Sequence, residues 1–111
     1  NVGWLDAQAL ASRSSLATFE LPESFPELIY ISFDVDAFDA SLMPATGTPE
    51  PGGLMWWQAL DLLRSVVRGR TLVGADVVEL APLDVLHHCD FTAAKLVYTL
   101  MGLDRGTSSG A

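Results

Sequence analysis

A single cysteine, Cys89, stands in a chain of 111 residues. That excludes an internal disulfide framework and fits a reducing compartment. Basic residues are scarce as well: six Lys and Arg against fourteen Asp and Glu, a formal net charge of −8. Such a surface repels nucleic acid and anionic membrane, and it suits a small cationic partner where the charge is concentrated. No apolar run approaches the roughly 18 residues that suggest a membrane span, and no basic stretch leads into an apolar one near the start. Histidine is limited to His87 and His88. The expected setting is cytoplasmic, with neither nucleic acid nor membrane as a partner. Half of the residues are apolar, enough for the core of one domain.

The apolar residues fall into an ordered pattern. Trp4, Leu5 and Gln8–Ala11 read as a short helix ended by Ser12–Ser15. Pro22 and Pro26 then mark a loop. Leu28–Asp34 is short and nearly continuous in apolar character, which predicts a buried, parallel strand. Residues 36–53 hold Pro44, Pro49, Pro51, Gly47, Gly52 and Gly53 and must form a loop, long enough to be functional. Leu54, Trp57, Leu60, Leu63 and Val67 recur at helical spacing, with Arg68-Gly69-Arg70 as the stop. Thr71–Val78 reads as a second strand. A last helix is predicted over Ala93–Met101, capped by Asp90 or Thr92 and closed by Gly102. Strand–helix–strand order implies a parallel pair with a right-handed crossover.

Both strands finish in acid: Asp34 and Asp36 on the first, Glu79 on the second. Ligands of open α/β sheets bind beyond the carboxyl ends of strands. Alternation along an extended chain places Asp34 and Asp36 on one side and Val35 on the other. Two carboxylates so close repel unless a proton or cation compensates, and oxygen donors suit ions such as Mg²⁺ or Mn²⁺. On the Asp-x-Asp spacing alone two readings stand, a cation site or solvated strand ends and caps.

The longer stretch SFDVDAFDASLMPATGTPEPGGL, followed downstream by GADVVELAP, resembles the ureohydrolases: arginases, agmatinases and related guanidino hydrolases. The likeness runs from about Tyr30 to Pro82, and AAKLVYTLMG (93–102) resembles the family's last helix. PEPGGL and DVVE are closer to agmatinases. The resemblance implies the C-terminal part of a three-layer α/β/α fold with a parallel sheet. The segments are then a poorly matched lead-in (1–27), a matched part (28–103) and a flexible tail (104–111). It further implies that Asp34 and Asp36 ligate a binuclear metal centre, usually Mn²⁺, with Ni²⁺ or Co²⁺ as alternatives. Asp34 is expected to bridge both ions and Asp36 to bind one, while Glu79 pairs with the substrate guanidinium; Thr48, in the loop facing the site, is read either as touching the substrate or as forming the turn. In such a centre a metal-bridging hydroxide attacks the guanidinium carbon, releasing urea and an amine. Family members imply a homo-oligomer, trimer or hexamer.

Other residues are given quieter parts. Asp39 is expected to cap the turn after the first strand or orient a ligand. His87 and His88 lie outside the motif and are not expected to bind metal. Cys89 reads as a small apolar or loop residue, and Trp4, Trp56 and Trp57 as packing or interface residues. The family's upstream Gly-Gly-Asp-His and Asp-Ala-His-x-Asp segments are not in this sequence. The chain is therefore expected to be one segment of a longer enzyme or a truncated copy, inactive by itself. A non-catalytic remnant or assembly subunit is the alternative. A phosphatase-type reading, with Asp34 as nucleophile and Asp36 as acid, leaves Glu79 and the Pro/Gly loop unexplained.

Overall fold

The computed structural model of the chain describes residues 2–108. Helix α1 (Ala7–Ala11) leads to strand β1 (Leu28–Asp34), helix α2 (Trp56–Val67), strand β2 (Thr71–Val78) and helix α3 (His87–Ser108). The strands pair in parallel, Leu28 opposite Thr71 and Asp34 opposite Val78. Both coincide with the predicted apolar runs.

One hydrophobic cluster joins Phe33 of β1 to Ala59 and Leu63 of α2 and to Cys89, Ala93, Leu96 and Leu100 of α3. Both long helices therefore lie on the same side of the sheet. Ile29 and Phe33 face them and are buried, whereas Leu28 and Tyr30 are 63% and 59% exposed. The strand read as buried on both faces is thus covered on one; among the described residues the other face is bare.

Two helices differ from the sequence reading. Leu54 lies outside α2 and pairs in a bridge with Phe38. Trp57 points outward, 67% exposed, while Trp56 stacks on Phe38 with ring centroids 6.2 Å apart. Helix α3 begins at His87, six positions before the predicted start, and passes through Gly102 to Ser108. The cause is a buried ladder at helical spacing, Cys89, Ala93, Leu96 and Leu100. Cys89, fully buried, is its first rung. Gly102 costs about 1 kcal/mol in a helix interior, too little to end a helix so anchored. The expected tail overlaps this helix as far as residue 108, and 109–111 lie outside the described residues.

The lead-in is tied to α2 by polar contacts. Asp6 caps α1, accepting from the Ala9 N–H at 2.7 Å. The buried Ser65 hydroxyl donates to the carbonyls of Leu16 (2.9 Å) and Ala17 (3.1 Å). Arg68 also donates to Ala17, at 3.1 Å.

Candidate active site

Strand β1 ends at Asp34, and Val35–Ala37 form a single 3-10 turn. Asp36 is therefore not on the strand, and strand alternation is not what brings the two aspartates together. The turn does so: the Asp36 N–H donates to Asp34 Oδ1 at 2.9 Å. Val35, between them, is fully buried and pins the turn to the core. Both carboxylates are half-buried.

A second tie comes from the loop. The Thr48 hydroxyl donates to Asp36 Oδ2 at 2.6 Å. One oxygen of each carboxylate, Asp34 Oδ2 and Asp36 Oδ1, is left without a hydrogen bond among the described residues. These are hard donors, and in kind they fit a divalent cation such as Mn²⁺. In number they supply part of a coordination shell. Among the described residues, no group of three or more His, Cys, Asp or Glu side chains is arranged to hold a metal ion.

Loop 38–54 is cross-braced rather than loose. Asp39 donates its N–H to the Leu54 carbonyl at 2.9 Å, and Leu54 donates to Ala37 at 2.8 Å. These strands of backbone pass so close that a Cβ on Gly53 would stand 2.5 Å from Phe38 C and Asp39 N. Only glycine fits there. The Asp39 carboxylate accepts from the Ser41 hydroxyl, the Ser41 N–H (2.9 Å) and the Gly52 N–H (2.8 Å). These bonds, the Ser41 hydroxyl foremost, lower its pKa from 3.8 to about 2.

A pH prediction arises here. Folding depresses this pKa, so the carboxylate's contribution is fully present above about pH 4 and is lost as pH falls through about 2. The Gly52 amide resonance is expected to titrate with a midpoint near pH 2, and Asp39→Asn to remove the step. A midpoint near 3.8 would show that the carboxylate does not brace the loop.

Glu79 follows the last residue of β2, whose partner across the sheet is Asp34. It is exposed and has φ +72°, the sole non-glycine residue with positive φ among those described. That conformation costs a non-glycine residue about 1–2 kcal/mol. It is held by its neighbours: Leu80 bridges Thr46, and the Ala81 N–H donates to the Ala45 carbonyl at 2.8 Å. The segment 45–48 thus touches both ends of the site, the Glu79 turn through Ala45 and Thr46 and Asp36 through Thr48. The Thr46 hydroxyl is buried with no hydrogen-bond partner among the described residues.

His87 and His88 are exposed at the start of α3, and His88 Nε2 lies 3.5 Å from Cys89 Sγ. A polar group that sequence reasoning passed over is Asp76, within the strand GADVV. It accepts hydroxyl bonds from Ser32 and Tyr30 of the adjacent strand. The available signal was a carboxylate inside an otherwise apolar run.

A parallel pair of strands covered by helices on one face, with carboxylates at its carboxyl rim, defines the class: part of an α/β fold. The arginase family model matches residues 6–102, and the chain belongs to the arginase family. It is similar to the N(1)-aminopropylagmatine ureohydrolase of Thermus thermophilus, with 47% identity over 98 residues, covering 88% of this chain and 33% of that protein. It is also similar to the agmatinase of Pyrococcus horikoshii, with 39% identity, 78% of this chain and 31% of that one. The crystal structure of the agmatine ureohydrolase of Thermoplasma volcanium superimposes with a TM-score of 0.65 at 32% identity, over 76% of this chain and 28% of that one. The chain thus spans about a third of the length of these curated relatives. The match reaches back through α1. No helix among the described residues is long and apolar enough to cross a membrane.

Proposed function

We propose that the natural polypeptide carrying this sequence hydrolyses a small cationic guanidino compound of the agmatine kind to urea and an amine. One observation supports this above the others. Asp34 and Asp36, cross-tied and half-buried, stand at the rim where β2 delivers Glu79 in a strained turn, in a chain whose relatives are ureohydrolases.

In this reading Asp34 and Asp36 hold divalent cations: Mn²⁺, with Ni²⁺ or Co²⁺ as alternatives. When bound, such ions supply Lewis-acid activation of water near neutral pH. Glu79 offers a carboxylate to a planar cation that has several donors and no acceptor. Thr48 is suited to the same cation. Its hydroxyl proton is committed to Asp36, so its lone pairs remain to accept from a guanidinium N–H. The Thr48 bond also keeps Asp36 from rotating.

The test is urea release by the natural polypeptide from agmatine, N(1)-aminopropylagmatine, arginine, guanidinobutyrate and guanidine, each with Mn²⁺, Ni²⁺ or Co²⁺. Urea from at least one is expected; none from any would contradict the proposal. A second reading, a non-catalytic remnant or assembly subunit, draws on the short ligand set. For the same reason we infer that these residues alone are inactive.

A further inference from the structure

On the bare side of the sheet one carboxylate is held more firmly than a surface strand position requires. Asp76 accepts from the Ser32 hydroxyl at 2.6 Å and from the Tyr30 hydroxyl at 2.8 Å. Two irregularities bring these side chains together. The register shifts between Ile29 and Tyr30, passing over Val73, so that Tyr30 stands opposite Gly74 and Ser32 opposite Asp76. Bulges of this kind re-aim side chains and are over-represented beside active sites. Gly74 makes room for the ring: a Cβ there would lie 2.8 and 2.9 Å from Cε2 and Cδ2 of Tyr30, so any larger residue would push the ring aside. The ring crosses β2 because Gly74 leaves it room.

Asp34 is the next position on that face, since residues 30, 32 and 34 alternate to one side of β1. It stands opposite Val78 as Ser32 stands opposite Asp76. Two positions along a strand span about 6.6 Å and neighbouring strands lie about 4.8 Å apart, so the backbones at Asp34 and Asp76 are roughly 8 Å apart, close enough for one ionised carboxylate to be felt by a cation at the other. The Ser32 and Tyr30 hydroxyls hold the Asp76 carboxyl below its usual range. The bond to Asp76 pushes the Tyr30 phenol up, so Tyr30 remains a donor at neutral pH.

We propose that Asp76 is a positioning residue for the metal end of β1. Clamped by Tyr30 and Ser32, it fixes the rung next to the one that carries Asp34 and adds a third negative charge near the Asp34–Asp36 pair, strengthening that pair's hold on divalent cations. The inference rests on the metal-binding reading of Asp34 and Asp36. It concerns how tightly the ions are kept, and it assigns Asp76 no contact with substrate.

The test is calorimetric titration of Mn²⁺ alone into the natural polypeptide carrying this sequence. Asp76→Asn keeps the shape and removes the charge; it is expected to raise the Kd for Mn²⁺ roughly 10-fold, the order of the Coulomb interaction between charges about 8 Å apart near a protein surface. Gly74→Ala leaves every carboxylate in place and displaces the Tyr30 ring; it is expected to raise the Kd in the same direction by a smaller factor. A role confined to stability would lower the midpoint of metal-free thermal unfolding and leave the Kd of the folded variants unchanged. A wild-type Kd in folded Asp76→Asn, with binding lost in Asp34→Asn, overturns the inference and spares the metal-binding reading. If Asp76→Asn does not fold, a wild-type Kd in both Gly74→Ala and Tyr30→Phe overturns it instead. Unimpaired Mn²⁺ binding by Asp34→Asn, or none by the wild type, overturns both.

Discussion

Replacing Asp34 by asparagine is expected to abolish urea release by the natural polypeptide, a fall larger than the roughly 100-fold cost of losing an outer partner. The amide keeps the size of the side chain and an oxygen to accept the Asp36 N–H, now 2.9 Å from Oδ1. The 3-10 turn and the buried Val35 beneath it are therefore expected to survive, and the unfolding midpoint to stay close to that of the wild type. What disappears is the charge. A neutral amide offers a cation one weaker oxygen and turns two N–H donors toward the neighbouring carboxylate. Activity and bound manganese should fall together in a protein that remains folded. Full activity in Asp34→Asn would remove the metal-ligand assignment.

Glu79 gives the second large effect, with opposite signs for activity and stability. Glu79→Gln keeps the backbone and removes the charge that a guanidinium would meet. Hydrogen bonds to charged groups contribute about 1.5–3 kcal/mol, so kcat/KM is expected to drop on the order of 10²-fold. Glu79→Gly removes the side chain and also the steric cost of φ +72°. Relief of about 1–2 kcal/mol, less the 0.5–1 kcal/mol that glycine loses in backbone entropy, leaves that variant up to about 1.5 kcal/mol more stable. An inactive but more stable Glu79→Gly would mark the turn as strain kept for function. A less stable variant with intact activity would mean that Glu79 serves the fold.

Much of this architecture was legible in the residues, for identifiable reasons. The runs LIYISFD and TLVGADVV are apolar and β-branched, and they became the two strands with the predicted bounds. The start of α3 was hidden because His87 and His88 look like loop. The ladder beginning at Cys89 shows only when the apolar positions from 89 to 100 are taken as one stripe. Strand alternation, which puts Asp34 and Asp36 on one side, is not what joins them; a 3-10 turn and the Thr48 hydroxyl do the placing. The positive φ at Glu79 leaves no mark in the sequence, because it is imposed by the pairing of residues 80 and 81 with residues 45 and 46. The Tyr30–Asp76–Ser32 group depends on a one-residue register shift between strands some forty positions apart, which no local pattern reports.

The measurement closest to the central claim is anomalous diffraction at the manganese edge, from crystals of the natural polypeptide grown with Mn²⁺. The account predicts density within bonding reach of both the Asp34 and Asp36 carboxylates, with the Glu79 side chain turned toward the same opening. Crystals that show no manganese there, with the two aspartates facing bulk water, would contradict it.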